Sequence, residues 1–240
     1  LPKEYGGQGG SQIEQVIYEQ EESNYITPRG VFEIGLGMCV PTMLAYAAEE
    51  QNRRYVLPAL KGEEIWCQLF SEPNAGSDLA VLRTRADYNG KSWILNGQKT
   101  WTSGAHFCDY GIIVARSDWS KPKHQGLTFF FVDMKTPGIS IKRIKQISGT
   151  SNFNEVFFTD VEIPDSQRLG EVGSGWSVSM TTLMNERLAV GETPPPDFEE
   201  MYSLASNLVL GEGLAIDDSA VREKLAEWYV ETQGLRYTKF

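Results

Sequence analysis

"RTRADYNGKSWILNGQKTWTSG", residues 83–104, is the stretch that decides the fold. It alternates apolar with polar positions and carries two Asn-Gly pairs, Asn89-Gly90 and Asn96-Gly97. Alternation at period two is the signature of a half-buried strand. Asn-Gly adopts the positive φ angles of a tight turn at low cost, so the first pair predicts a β-hairpin. Four more strands follow: "YGIIVARS" (110–117), "LTFFFVDM" (127–134), "GISIKRIK" (138–145) and "NEVFFTDVEIP" (154–164), separated by Pro, Gly and Asp breakers. They predict an all-β domain of roughly a hundred residues, a sandwich or small barrel.

On either side the period changes to that of a helix. "YGGQGGS" (5–11) reads as a loop, after which Ser11 precedes a helix with Ile13, Val16 and Ile17 at its apolar positions. A second helix is expected over about 41–51, with Pro41 near its start. The glycine cluster is no dinucleotide fingerprint: no strand precedes it, and the frame opening at Gly7 places Gln12 where a glycine is required. From Gly175 a helix runs through Met184 and Leu188, followed by Met201, Leu204 and Leu208. A last helix starts near Asp217-Asp218-Ser219 and spaces Val221, Leu225, Trp228, Tyr229 and Leu235 helically. "TPPPD" (193–197) should kink or break the first of these, since proline removes an amide donor. The expected class is α+β, in three domains: a helical part (1–64), a middle β-barrel (65–174) and the start of a helical bundle (175–240).

The bulk chemistry excludes several functions. Among 240 residues, 22 basic against 32 acidic residues give a net charge of −10, which disfavours nucleic acid and anionic membranes as partners. No apolar run approaches the ~18 residues of a membrane span. Three widely spaced cysteines without a CxxC predict neither a disulfide framework nor zinc, and suit a reducing compartment. With only His106 and His124, metal-centred and Ser–His chemistry have little to build on. A start at Leu1 without Met and a stop at Phe240 inside a helical pattern suggest a piece of a longer polypeptide.

Three short segments could carry chemistry. "CQLFSEPNAGSD" (67–78) ends a β-run in a turn of small polar residues, whose amides and hydroxyls suit a flat polar ring or a phosphate, or simply make a loop. "GQKTWTSGA" (97–105) sets Trp101 among Thr100, Thr102, Ser103 and Gly104: a stacking face beside hydrogen-bonding groups, or a strand-end Trp in a core. "TTLMNERLAVGE" (181–192) places Glu186 and Arg187 side by side, between Met184, Leu188 and Gly191 on what reads as the inner helix face. Adjacent helical residues point about 100° apart, so the two charges do not form an ordinary surface pair.

Taken together, "SEPNAGSD" and "NGQKTWTSGA" some twenty residues later resemble the paired flavin-binding signatures of the acyl-CoA dehydrogenase family. "LPKEYGGQGG" and "FNEVFFTDVEIPDSQRLGEVGSGW" resemble that family too, in the same order, so the resemblance spans nearly the whole chain. It implies a helical domain, a middle β-barrel and a C-terminal helical bundle. It implies FAD as cofactor and an acyl-CoA as substrate, converted to the 2-enoyl-CoA by α-proton abstraction and β-hydride transfer to flavin N5. Carried over by motif, backbone groups of Phe70 and Ser71 border the isoalloxazine, with Gly76, Ser77 and Thr102 also at the cofactor. Ser77 also lies near the substrate thioester, Trp101 packs on the flavin, and Ser103, often Thr in the family, bonds N5. Gln68, which the resemblance also places at the cofactor, stands where the family often has Tyr, and Asn74 where it usually has Gly.

The resemblance leaves two positions for the base. In relatives resembling isovaleryl- and long-chain acyl-CoA dehydrogenases it immediately precedes a widely shared Arg, and "NERL" matches with Glu186 as base and Arg187 as a substrate-orienting residue. In most members it lies late in the bundle, which here would be beyond Phe240, leaving Glu186 a surface or ion-paired residue. The implied electron acceptor is an electron-transferring flavoprotein, or oxygen in an oxidase relative. A homodimer or homotetramer in the cytoplasm, or in the mitochondrial matrix of a eukaryote, is the implied setting. The alternative is a catalytically silent relative that binds FAD or acyl-CoA or acts as a scaffold.

Overall fold

The computed structural model describes residues 2–22, 25, 29–189 and 198–238. The chain divides into two compact units, Leu1–Val190 and Gly191–Phe240, each described by itself. The "TPPPD" segment lies outside the described residues. Among the described residues no helix is long and apolar enough to cross a membrane.

The first unit opens with helix α1 (Gln12–Glu22). Ser11 caps it reciprocally: Glu14 N–H donates to Ser11 Oγ at 3.3 Å, and Ser11 N–H donates to Glu14 Oε2 at 2.7 Å. Where one helix was expected over 41–51, two form. A π-helical turn, Gly35–Cys39, runs into α2 (Val40–Tyr46), and α3 spans Glu49–Leu60. Ala47 and Ala48 are extended between them, and the Gln51 side chain accepts the Ala48 N–H at 2.9 Å. That bond satisfies one of the orphan donors of a new helix start, which apolar spacing does not reveal.

The strands are β1 (Trp66–Leu69), β2 (Arg85–Tyr88), β3 (Ser92–Ser103), β4 (Tyr110–Arg116), β5 (Leu127–Asp133), β6 (Ile139–Ile144), β7 (Phe153–Pro164) and β8 (Arg168–Leu169). They form one mixed sheet in the order β6-β7-β3-β2-β4-β5-β8, with β1 parallel to β4. Asn89-Gly90 makes the β2–β3 hairpin as expected, Gly90 at φ 95° and Asn89 Oδ1 accepting the Ser92 N–H. Asn96-Gly97 instead lies inside β3, opposite a bulge in β7. Gly97 is needed there because a Cβ would sit 2.7 Å from Thr84 Cα. The barrel is not closed: among the described residues no ladder joins β6 to β8. β6 ends the sheet with exposed Lys142 and Arg143, the kind of edge charge that discourages further pairing.

The sheet has two buried faces, which is why β4 and β5 are buried along nearly their whole length instead of on alternate residues. Ile112, Val114, Phe129 and Phe131 pack toward Val40, Met43 and Val56 of α2 and α3 and Val178 of the following helix. Ile113, Ala115, Phe130 and Val132 point the other way, onto Trp93, Leu95, Val156 and Phe158. Helix α4 (Gly175–Ala189) closes the first unit against the π-turn, α2 and β5. Polar pairs join it to α2: Thr42 and Thr182 hydroxyls 2.8 Å apart and fully buried, Tyr46 and Thr181 hydroxyls 2.9 Å apart.

The second unit contains α5 (Phe198–Asn207), a hairpin β9 (Val209–Leu210) and β10 (Gly213–Leu214), and α6 (Ser219–Thr238). Asp218 caps α6 through the Ala220 N–H at 2.7 Å. Its core is Ala205, Ala215 and Leu225, with Phe198, Met201, Ile216 and Val221 around them. Leu204, Leu208, Tyr229 and Leu235 read as core-facing in the sequence but are exposed within this unit.

One buried ion pair ties the turn after β1 to β3. Lys99 is wholly buried; its Nζ donates to Glu72 Oε1 at 2.9 Å and to the Phe70 carbonyl at 3.0 Å. Glu72 also accepts the Arg83 N–H at 2.6 Å and the Thr84 N–H at 2.9 Å. Burial opposes the Glu72 charge, but Lys99 and these bonds outweigh it and hold the carboxyl below its usual range. At Lys99 burial prevails over the attraction of Glu72 and pulls the ammonium below its ordinary value. Lys99→Met strands a buried carboxylate and should cost about 3–5 kcal/mol at neutral pH. Because the depressed Glu72 pKa contributes stability above the unfolded value of about 4.3 and loses it as pH falls, the deficit of Lys99→Met should shrink in acid. Urea unfolding of both proteins at neutral and acidic pH measures this; a deficit independent of pH would contradict it.

Candidate active site

The site is assembled where β1 ends. Side chains of β1 alternate: Cys67 and Leu69 enter the inner core, and Trp66 faces the helices. Gln68 shares the parity of Trp66. After Phe70, which is buried edge-on against Phe129 at 5.7 Å, the chain makes a small loop closed by reciprocal Glu72–Ala75 backbone bonds. Ser71 accepts the Thr100 N–H at 2.8 Å, so the two signature segments are hydrogen-bonded to one another. The Phe70 and Ser71 carbonyls are thereby taken by Lys99 and Thr100, while the Ser71 hydroxyl stays without a partner among the described residues. Gly76 and Ser77 stand exposed beyond it, and a Cβ at Gly76 would meet nothing within 4 Å.

A bulge sets the second segment. Pairing of β3 with β7 shifts between Lys99 and Thr102, leaving Thr100 and Trp101 opposite one residue. Trp101 takes φ 58°, a left-handed conformation unusual for so bulky a residue, and is 59% exposed. One edge of its ring meets Phe153 at 5.9 Å, in a T-shaped pair. Thr102 is buried and its hydroxyl has no partner among the described residues. Ser103 lines a cleft of about 590 Å³ with Val31 and Ile34 on the helical side and His106, Arg143 and Asn152 on the sheet side.

Helix α4 turns Glu186 and Arg187 to different sides. Its buried row runs Val178, Thr182 and then, one turn on, half-buried Glu186. Met184, expected on the inner face, is 52% exposed, because that face belongs to the 178–182–186 row; the side chain of Leu188, and Gly191, lie outside the described residues. Gln68 Nε2 donates to Glu186 Oε2 at 3.3 Å, and Glu186 has no ion pair among the described residues. Arg187 points outward, with Met184 Sδ at 3.9 Å from its Nη1. The structure thus joins Gln68 to Glu186, and Phe70 and Ser71 to the strand of Trp101, Thr102 and Ser103. It shows no contact that links Gly76, Ser77 or Arg187 to Glu186, and the cleft beside Ser103 includes neither Gln68 nor Glu186.

Sequence reading passed over Lys99, Thr42 and Tyr46, which position these groups. A lysine amid the "QKTWTS" alternation was the only available signal, since its partner Glu72 lies 27 residues away. Chemically, the arrangement offers a half-buried carboxylate bonded only to Gln68 among the described residues, an exposed indole and hydroxyls of Ser71, Thr102 and Ser103 that lack partners among those residues. These fit a planar heteroaromatic ligand that accepts hydrogen bonds, such as a flavin.

Three family models match in chain order: acyl-CoA dehydrogenase N-terminal domain over residues 1–63, middle domain over 67–161 and C-terminal domain over 173–240. The chain is 47% identical to acyl-CoA dehydrogenase FadE34 of Mycobacterium tuberculosis over 206 residues, 85% of this chain and 29% of that protein. It is 36% identical to acyl-CoA dehydrogenase IpdE1 of the same organism over 240 residues, 98% of this chain and 61% of that protein. The crystal structure of the ChsE4-ChsE5 complex from M. tuberculosis superposes with a TM-score of 0.86 at 31% identity, covering 99% of this chain and 62% of that one. The chain therefore spans less than two thirds of each of these relatives. With three consecutive domain matches, a relative 36% identical over 98% of this chain, and the same fold in solved relatives, the chain belongs to the acyl-CoA dehydrogenase family.

Proposed function

We propose that this chain supplies the flavin-facing and proton-abstracting part of an FAD-dependent acyl-CoA dehydrogenase, forming a 2-enoyl-CoA. The observation that carries the reading is the approach of Glu186 to Gln68, which sets a carboxylate against the strand leading into the first flavin signature. FAD, when bound, supplies the acceptor for the β-hydride. Ser71, Thr102 and Ser103 would hold it with their unpartnered hydroxyls, and Trp101 would cover it from the exposed side of the bulge.

Glu186 takes the α-proton. An unassisted thioester α-proton is too weakly acidic for a solvated carboxylate, and Glu186 is half-buried with no ion pair among the described residues. Ser77, exposed at the loop tip, faces the thioester, and Arg187 orients the acyl-CoA from the outer side of α4. The two electrons leave to an electron-transferring flavoprotein, and the family's homo-oligomeric habit is the expected assembly.

Glu186→Gln should abolish anaerobic bleaching of the flavin by acyl-CoA while FAD remains bound, read from the visible spectrum; unchanged bleaching would place the base elsewhere. Loss of bleaching in the unaltered protein across acyl-CoA chain lengths would favour a silent binding role. Trp101→Gly removes a left-handed strain of order 1 kcal/mol and little buried area. It should leave thermal stability equal or higher while weakening FAD retention several-fold, a split that a purely structural tryptophan would not give.

A further inference from the structure

We propose that Gln68 is a positioning residue for the Glu186 carboxylate, holding one oxygen so that the other faces the substrate α-carbon. This rests on the reading of Glu186 as the base, and it moves Gln68 from the flavin edge to the proton-transfer step.

The geometry assigns the role from both sides. Gln68 sits in β1 with its backbone fixed by parallel pairing to Ile112 and by the buried Cys67 and Leu69 on either side. Strand parity directs its side chain toward the helices, as it does for Trp66. Glu186 projects from the row of α4 that Thr182 locks to Thr42 through buried hydroxyls. Both side chains therefore leave rigid elements and meet at 3.3 Å between Gln68 Nε2 and Glu186 Oε2. That bond is the sole hydrogen bond to Glu186 among the described residues, so Oε1 remains available. A glutamate has three side-chain torsions, and fixing one oxygen removes most of its freedom before substrate arrives.

Among the described residues no other charge pairs with this carboxylate. On α4 itself, Arg187 turns outward to Met184, and Asn185 donates to the Thr181 carbonyl. On the elements packed against α4, Tyr46 bonds Thr181, and the Cys39 thiol is directed to the Cys67 carbonyl. Tyr110 accepts from Arg54, Arg116 donates to the Ala80 and Lys123 carbonyls, and Asp133 accepts the Lys135 N–H. A neutral donor orients the carboxylate without the loss of basicity that a cation would bring.

The test is α-proton exchange of a saturated acyl-CoA into D2O by the flavin-loaded protein, followed by mass spectrometry across pH. Gln68→Leu should slow exchange by about tenfold, the scale of one hydrogen bond to a charged group, with FAD content unchanged. Gln68→Glu puts a like charge beside Glu186 and should shift the acid limb of the exchange profile to higher pH. Independently of turnover, the side-chain amide resonance of Gln68 should titrate with pH in the protein without substrate and stop titrating in Glu186→Gln. If Glu186→Gln is silent but Gln68→Leu exchanges at the unaltered rate and pH profile, the positioning role falls and the base assignment stands. If Glu186→Gln still exchanges, both fall together.

Discussion

A fully buried lysine is the constraint around which this site is arranged. Lys99 has no route to water, so its ammonium must find oxygen inside the protein, and it finds the Glu72 carboxylate and the Phe70 carbonyl. Satisfying it forces the turn after β1 onto β3, where Ser71 then bonds Thr100. Glu72 in turn fixes the Arg83 and Thr84 amides on the way into β2. A pair of this kind is a poor source of net stability compared with apolar packing, but leaving either charge alone would be worse. What it secures here is register: the turn after β1 and the end of β3 cannot drift apart without exposing an unpaired buried charge.

The bulge that follows is the local consequence. With Lys99 pointing into the core, the strand must absorb an extra residue before Thr102 can rejoin β7. Trp101 takes the left-handed position, which throws an indole outward and leaves the Thr102 hydroxyl buried without a partner. Strain in a bulky residue and an orphaned hydroxyl next to it are expected where a structure is arranged for a ligand and not only for itself.

Helix α4 delivers the carboxylate by a different device. Threonine and tyrosine hydroxyls join it to α2 beside the apolar cluster that holds Val178. Hydrogen-bonded contacts of that kind fix the rotation of a helix about its axis more closely than methyl groups would, because they are directional. Rotation is what separates Glu186 from Arg187: one position inward, one outward.

Local chemistry wrote much of this into the chain. Apolar runs between Pro, Gly and Asp breakers marked the strands 110–116, 127–133, 139–144 and 153–164 nearly to the residue, Asn89-Gly90 marked the hairpin, and Ser11 and Asp218 marked helix starts. The order of the motifs gave the family. Each of these depends on residues within one turn or one strand of each other, where sequence spacing is spatial spacing. The sequence could not say that the sheet stays open, that Asn96-Gly97 marks a close approach to Thr84, or that helix 41–51 would split at Ala47. Nor could it show that Met184 faces out and Glu186 in, since both lie on plausible helical stripes. Those outcomes follow from partners 27 to 140 residues distant, Glu72 for Lys99, Gln68 for Glu186 and Thr42 for Thr182, which only the folded chain brings within bonding distance.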